Sequence, residues 1–238
     1  MDFLLQDLRS GARSLLKQPG SSSLSILAFA LGIGLCATMF SILYGIYGRG
    51  IGVPDSDRLV VLSHNNPSRN IVRRQVPLHD FYDWQEEQRS FVGLGGFSFG
   101  TMNLSDGGDP ERFEGAYVTA NAFDLLRVQP VLGRAFREGE DGPGAPLTVV
   151  VGYDLWETRY DSDPGIVGRA VKVNGEEATI IGVMPEGFFF PMTERLWIPQ
   201  RDVRGEVERG RGPTLQIFGR LREGVTEEQA HLDMSLIA

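Results

Sequence analysis

An uncharged apolar stretch near the N-terminus constrains this chain more than any other feature. Residues 24–47, LSILAFALGIGLCATMFSILYGIY, contain no Asp, Glu, Lys or Arg. As an α-helix the stretch would be about 36 Å long, whereas the hydrocarbon core of a bilayer is about 30 Å thick. A cleaved signal peptide is less consistent, because its apolar core is only about 7–15 residues long and follows a short basic lead. The sequence therefore predicts a transmembrane helix over residues 21–48, with Leu24 and Tyr47 bounding the uncharged run.

Basic residues ahead of the span predict its orientation. Arg9, Arg13 and Lys17 precede it, and by the positive-inside rule they keep the N-terminus in the cytoplasm. Residues 1–20 also carry apolar side chains at helical spacing, which predicts a short amphipathic helix on the inner membrane face. Residues 49–238 are then predicted to lie on the outer side of the membrane.

Small residues recur within the predicted span. Ala30, Gly34 and Thr38 follow one another at intervals of four, and such small-xxx-small pairs allow two helices to pack closely in lipid. Because Gly and Ala are also common in membrane helices generally, both a helix partner and plain composition stay open. Cys36, the single cysteine, lies in the same stretch, so an intrachain disulfide is impossible.

The composition after the span excludes several classes of function. The chain has a formal net charge of −8, and the part from residue 49 onward is more acidic still. It offers no basic face for phosphates, so we predict no nucleic-acid partner. His64, His79 and His231 are scattered, and there is no H-E-x-x-H motif, cysteine pair, G-x-S-x-G elbow or Walker pattern. We therefore predict no enzyme activity, no metal and no cofactor.

Strand and helix patterns alternate irregularly along residues 49–238, which predicts an α+β fold. The clearest element is VKVNGEEATIIGV, residues 171–183, which predicts a β-hairpin. Its Asn174-Gly175 pair suits the two positive-φ positions of a type I′ turn. Residues 147–151, LTVVV, predict a buried strand by composition.

Four further local features carry predictions. Asn121 is predicted to cap a short helix, and Thr226 with Gln229 predicts a capping box at the start of the last helix. Residues 201–213, rich in Arg, Glu and Gly, predict a mobile surface loop. For the run Phe188–Phe190 two readings stay open, a plug in the core and an exposed aromatic patch.

Several stretches together resemble the MacB-like ABC transporter permeases, and most closely the acidobacterial duplicated orphan permease type. DLRSGARSLLKQPGSSSLSILAFALGIGLCATMFSILYGI followed by PDSDRLVVL resembles the start of such permeases. VVVGYDLWETRYDSDPGIVGRAVKVNGEEATIIGVMPEGFFFP resembles their periplasmic core domain, and ANAFDLLRVQPVLGRAF and QIFGRLREGVTEEQA fit the same pattern. The signature positions, with structural roles only, are Trp156, Asp163, Pro164, Gly168, Arg169, Asn174, Gly175, Gly182, Val183 and Pro185.

The resemblance implies a bacterial inner-membrane protein that takes part in export or efflux. Its periplasmic domain would transmit ATP-driven motion and would contain a porter-like part and a smaller inserted β-rich lobe. The implied partners are the membrane, an ABC ATPase subunit, and further permease segments or a second permease copy. Residues 214–238 would return to the porter-like part. Independently of the resemblance, the helix that follows the Thr226–Gln229 capping box is predicted from its residues to run to the last residue. Residues 49–238 are accordingly expected to form an incomplete core domain.

Two other classes of function stay open. A single-span sensor or extracytoplasmic ligand-binding module would need an output domain, but only 23 residues precede the uncharged run. A membrane-anchored enzyme would need an acid, a base and a nucleophile in one cleft, and no sequence motif identifies such a set.

Overall fold

The computed structural model describes residues 19–47, 53–66 and 71–237. The chain divides into two compact units, Met1–Gly50 and Ile51–Ala238.

The first unit contains a single described helix, α1, Pro19–Tyr47, of 29 residues. Its described side chains are exposed, with Phe29 at 73% and Leu35 at 74%. Across the described residues, none of the helices combines the length and the apolar character that a membrane crossing requires. The span over residues 21–48 thus stays a prediction, and the amphipathic helix predicted over residues 1–20 lies almost entirely outside the described residues.

The second unit mixes strands and helices, as the α+β prediction requires. Its strands are β1 Leu59–Leu62, β2 His64–Asn66, β3 Ile71–Arg74, β4 Val76–Pro77, β5 Phe91–Ser105, β6 Glu111–Val118, β7 Leu132–Gly133, β8 Leu147–Val151, β9 Ala170–Val173, β10 Glu176–Val183, β11 Leu196–Pro199 and β12 Thr214–Leu221. Its helices are α2 Leu78–Glu87, α3 Ala122–Leu126, α4 Tyr153–Tyr160 and α5 Glu227–Ser235.

Ten of these strands form one mixed sheet in the order β1-β12-β5-β6-β11-β8-β10-β7, and β4 pairs with β12. Strand β9 pairs with both β10 and β5, where Leu104 lies opposite Val173. The path β5-β6-β11-β8-β10-β9 therefore closes on itself as a ring of six strands, which we call the closed lobe. Strands β1 and β12 with the first half of β5 form an antiparallel sheet outside the ring, which we call the open sheet.

Helices α2 and α5 pack on one face of the open sheet. Leu78, Phe81 and Trp84 are the buried residues of α2, and Ala230 and Met234 are those of α5. They join one apolar cluster with buried residues of β5 and β12. Burial of this apolar area, at about 25 cal/mol per Å², is the main force that holds the helices to the sheet.

Glycines in β5 allow side chains of β12 to cross over it. A Cβ at Gly95 would lie 2.6 Å from Cζ of Phe218, and one at Gly96 would lie 2.7 Å from Cδ1 of Leu215. The G-x-G-G pattern of this strand is therefore a packing feature.

The closed lobe contains the predicted hairpin, which is confirmed. Strands β9 and β10 pair antiparallel, and the turn residues Asn174 and Gly175 have φ values of 53° and 84°. Val171 and Val173 are buried in the lobe, as their alternation predicted. The predicted buried strand is confirmed as β8, all five residues of which are buried.

Other local predictions have mixed outcomes. The capping box of Thr226 and Gln229 is confirmed, but α5 ends at Ser235 rather than at the last residue. Asn121 occupies the N-cap position of α3 without a capping hydrogen bond. In the run Phe188–Phe190, the first and last rings are buried and Phe189 is 48% exposed, so the core reading holds for two of the three.

Candidate functional site: the junction segment and the adjoining cleft

The residues singled out in the predicted span all lie on α1. Leu24 is 69% exposed, and α1 ends at Tyr47. The hydroxyl of Thr38 donates to the carbonyl oxygen of Gly34 at 2.8 Å, and Ala30 lies one turn before Gly34. The Thr38 hydroxyl is therefore hydrogen-bonded within its own helix. This suits a helix in an apolar medium, because a polar group without a hydrogen-bond partner is costly there.

One group of signature residues forms the turn between α4 and β9. The indole Nε1 of Trp156 donates to the carbonyl oxygen of Asp163 at 2.8 Å. The carboxylate of Asp163 accepts from the amide of Gly165 at 2.8 Å, and Pro164 opens the 3₁₀ turn that follows. Gly168 has a φ of 92°, and the guanidinium of Arg169 lies 5.2 Å from the centre of the Tyr160 ring.

A second group of signature residues fastens the hairpin. The side-chain oxygen of Asn174 accepts from the amide of Asn103 at 2.9 Å, and the amide of Asn174 donates to the carbonyl of Asn103 at 2.8 Å. Gly182 lies under the segment that contains Arg134, and a Cβ there would be 2.4 Å from the carbonyl oxygen of Arg134. Val183 is fully buried, and Pro185 accepts a hydrogen bond from the amide of Phe188 at 3.1 Å.

These signature residues lie in the closed lobe and form packing and turn contacts. Over the described parts of the chain, no three His, Cys, Asp or Glu side chains come together in an arrangement that could hold a metal ion. The feature that stands out chemically lies elsewhere, on the open sheet.

A buried arginine joins stretches that lie far apart in the sequence. Arg220, on β12, is 1% exposed. Its Nε donates to the carbonyl oxygen of Leu125 at 2.6 Å, and its two terminal nitrogens donate to the carbonyl oxygens of Asp55 at 2.9 Å and Pro54 at 3.0 Å. One guanidinium therefore holds the end of α3 and the segment that enters β1. We call residues 53–58 the junction segment, because they follow α1 in the sequence and lead into β1.

The charge of Arg220 is stabilised by hydrogen bonds to backbone carbonyl oxygens. Among the described residues it forms no ion pair, and its acceptors are three carbonyls. Burial lowers the pKa of Arg220, the nearby charge of Arg127 lowers it further, and Asp55 opposes the change. Arginine stays protonated in such surroundings because its ordinary pKa is above about 12. Hydrogen bonds to a charged donor are about twice as strong as neutral ones, which offsets the cost of burial.

Two more arginines hold the same segment. Arg58 donates twice to the carbonyl oxygen of Leu221, from Nε at 3.1 Å and from a terminal nitrogen at 2.6 Å. Arg127, in the left-handed conformation that ends α3, forms an ion pair with Asp55. The junction segment is thus attached both to β12 and to α3.

The other end of α3 is attached to β5. Thr119 accepts from the amide of Gly96 at 3.0 Å and donates to the side-chain oxygen of Asn121 at 2.8 Å. Asn121 in turn donates to the carbonyl of Leu94 at 2.9 Å. This bond corrects the capping prediction, because the side chain of Asn121 is used to join α3 to β5.

A polar cleft of about 660 Å³ opens beside the N-terminal end of α3. Tyr82 and Gln85 of α2 line one side. Asn121 and Asp124 line the α3 side, and the remaining walls include Arg137, Glu138, Asp141 and Asp202.

Tyr82 lies close to both acidic and basic side chains around the cleft. Burial raises the pKa of Tyr82, and the negative charges of Asp141 and Asp202 raise it further. The guanidinium of Arg204 lies 3.6 Å from the centre of the Tyr82 ring. The hydrogen bonds from Arg204 to Asp202 lower the pKa of that carboxyl, so the pair stays charged at neutral pH.

The loop predicted over residues 201–213 is attached to α2. Arg204 stacks on Tyr82, and Arg209 forms ion pairs with Asp80 and Asp83 at 2.6 Å each. These three contacts attach the stretch to α2, which its charged, Gly-rich composition did not predict, and Asp202 of the same stretch lines the cleft.

Arg220 was not among the residues predicted from the sequence, although the sequence contains a signal for it. In QIFGRL, alternation places Arg220 on the same face of the strand as Phe218, which is buried in a large apolar cluster. A charged residue on a core-facing position of a strand indicates a specific buried partner. Which partner it has could only be found in three dimensions.

Comparison with known proteins agrees with this architecture. The model of the family "MacB-like periplasmic core domain" matches residues 22–235. The periplasmic region of MacB from Actinobacillus actinomycetemcomitans is similar in fold, with a TM-score of 0.56 and 16% identity over 75% of this chain and 83% of that chain. The extracellular domain of the noncanonic ABC-type transporter YknZ from Gram-positive bacteria is also similar, with a TM-score of 0.51 and 13% identity over 75% of this chain and 92% of that one. No curated protein matches the sequence.

The two structural likenesses show a shared fold, and the family model shows the relationship. The match to the family model extends over most of the chain and includes the junction segment, both helices of the open sheet and the whole closed lobe. The protein therefore belongs to the family of MacB-like periplasmic core domains, and carries such a domain of an ABC transporter permease.

Proposed function

We propose that this chain is the membrane-anchored N-terminal portion of an ABC transporter permease subunit. Its outer domain would transmit ATP-driven motion to substrates for export. The observation that carries the proposal is the family match over residues 22–235, which includes the whole uncharged run and nearly all of the second unit.

Membrane anchoring is supported by the surface of α1. The large apolar side chains described on it are exposed by 60% or more, among them Leu27, Leu31 and Phe40. A continuous apolar surface of this kind is unfavourable in water and favourable in lipid. The basic residues ahead of it favour a cytoplasmic N-terminus and a periplasmic second unit.

A mechanical role is supported by the kind of contacts that surround the cleft and the junction. These are ion pairs and hydrogen bonds that fasten one element to another, such as Arg220 to the junction segment and Arg209 to Asp80 of α2. Transport would then depend on an ABC ATPase and on further permease segments or a second permease copy as partners.

Topology is tested by labelling single cysteines in intact spheroplasts with a membrane-impermeant maleimide. Cys36→Ser provides the background, and Ser10→Cys and Glu138→Cys are the two probes. We expect labelling of the Glu138→Cys variant, and protection of the Ser10→Cys variant until the membrane is permeabilised. Equal labelling of both probes, or release of the chain from membranes by alkaline carbonate, would contradict the proposed anchor.

The transport role is tested by purifying the chain from native membranes after cross-linking. We expect an ABC ATPase among the cross-linked proteins and its loss when residues 1–50 are deleted. Repeated recovery of the inserted chain without any ATPase would contradict a role in ABC transport.

A further inference from the structure

Helix α3 connects two features of the second unit that are far apart in the sequence. Its last residues are held at the junction segment, where Arg220 binds the carbonyl of Leu125 and Arg127 pairs with Asp55. At its other end, Asn121 and Asp124 line the cleft. Because α3 has only five residues, it has no flexible interior that could absorb a displacement of either end.

The core around α3 is also rigid. Phe123 is fully buried, its ring stacks on Phe136 at 5.5 Å, and it meets Trp197 edge-to-face at 5.9 Å. Close-packed interiors of this kind transmit small shifts instead of damping them. Phe136 itself lines the cleft, so a movement of α3 reaches both sides of the opening.

The chemistry at Arg220 requires an arginine. Its three bonds leave three different nitrogens in three directions and end on main-chain oxygens. A lysine at this position carries the same charge on a single nitrogen and cannot reproduce the planar fork. Because the acceptors are backbone carbonyls, the side chains of the junction segment do not determine this attachment.

We propose that Arg220 is a positioning residue that couples the junction segment to α3, so that displacement of residues 53–58 changes the width of the cleft. The proposal rests on the proposed function for the source of the displacement, which is the membrane segment that precedes residue 53. It adds a specific route, from Pro54 and Asp55 through Arg220 and α3 to the cleft.

The test measures two distances by spin-label electron resonance in the full chain, with Cys36→Ser as background. One pair of labels, at Ser56→Cys and Glu223→Cys, reports the junction. The other pair, at Gln85→Cys and Glu138→Cys, reports the width of the cleft. Both pairs are recorded on the full chain in detergent solution without any ATPase.

Displacement is produced by Arg58→Met, which frees the junction segment from Leu221 but leaves the Arg220 contacts in place. We expect this change to shift or broaden both distance distributions. With Arg220→Met also present, Arg58→Met should still alter the junction distances but no longer alter the cleft distances. Such non-additivity is the signature of coupling, which a merely stabilising residue would not produce.

Two further variants complete the design. Arg220→Lys should behave like Arg220→Met, because lysine keeps the positive charge but lacks the planar guanidinium whose three nitrogens donate to the three carbonyl oxygens. Arg159→Met removes another largely buried arginine, in the closed lobe, and should leave the response of the cleft to Arg58→Met intact. If Arg220→Met does not fold by circular dichroism, Arg220→Lys takes its place in the cycle.

The proposal is overturned if Arg58→Met leaves the cleft unchanged, or if the cleft responds to it equally with and without Arg220. Failure of the proposed function is read separately, from the maleimide labelling and the ATPase cross-linking. The distance measurements need neither result, so each claim can fail alone.

Discussion

Gly182→Ala offers a sharp test of how the closed lobe is assembled. Strand β10 passes directly under the segment 131–134 at this point, and a Cβ would lie 2.4 Å from the carbonyl oxygen of Arg134 and 3.2 Å from that of Leu132. Carbon–oxygen contacts are normally about 3.3 Å or longer. The two backbones would therefore have to separate by about 1 Å.

The cost follows from the bonds that this separation would break. The amide of Arg134 donates to the carbonyl of Ile181 at 2.9 Å, and the amide of Val131 donates to that of Val183 at 2.8 Å. Loss of two backbone hydrogen bonds at about 1 kcal/mol each, with some disturbance of the packed core, gives a destabilisation of about 2–4 kcal/mol. For a unit of this size that lowers the Tm by roughly 4–16 °C.

The assay is thermal unfolding of the full chain in detergent, followed by tryptophan fluorescence. Gly108→Ala is the matched control, because no atom lies within 4 Å of its Cβ position and its φ is not positive. The control should stay within about 0.5 kcal/mol of the parent. If Gly182→Ala unfolds at the same temperature as Gly108→Ala, the close approach of the two backbones at Gly182 does not limit the stability of the unit.

Three further changes are predicted, each measured by urea unfolding of the full chain. Thr226→Ala removes the capping box of α5 and should cost about 0.5–2 kcal/mol, whereas an unchanged midpoint would show that the cap contributes nothing to stability. Trp197→Phe removes the buried bond from the indole Nε1 to the carbonyl of Phe190 and should cost about 2–4 kcal/mol; a cost below about 0.5 kcal/mol would mean that water replaces the bond. The pKa of Asp233 is lowered because two backbone amides donate to its carboxylate. The contribution of this carboxylate to the free energy of unfolding is therefore complete above an ordinary Asp pKa of about 4, and it is lost as the pH falls through the lower folded-state pKa. Asp233→Asn should therefore reduce stability at pH 7 and flatten the loss of stability below about pH 4, and parallel pH profiles for the two proteins would contradict this reasoning.

Elements with local causes were predictable. The Asn174-Gly175 turn, the Thr226–Gln229 capping box and the all-apolar strand over residues 147–151 each depend on residues a few positions apart. Their geometry is determined by backbone dihedrals, one capping hydrogen bond or local apolar content. The same holds for the family resemblance, since its signature is a set of turns and strands at fixed spacing.

Elements that depend on distant partners were not predictable. Asn121 has the sequence context of a helix cap, yet Thr119 and the carbonyl of Leu94, on a neighbouring strand, compete successfully for its side chain. The stretch over residues 201–213 has the composition of a free loop but is fastened to α2 by Arg204 and Arg209. In each case a tertiary contact overrode the local preference.

The sequence by itself determined the apolar run, its orientation signal, the acidic second unit and the local turns, because these follow from composition and short-range spacing. Only the tertiary structure decided that β9 closes a ring with β5, and that Arg220 meets the junction segment more than 160 residues earlier. The physical reason is that a buried guanidinium must find acceptors wherever the chain brings carbonyl oxygens to it. The sequence shows that Arg220 brings hydrogen-bond donors to a core-facing position, whereas the fold determines which carbonyl oxygens accept from them.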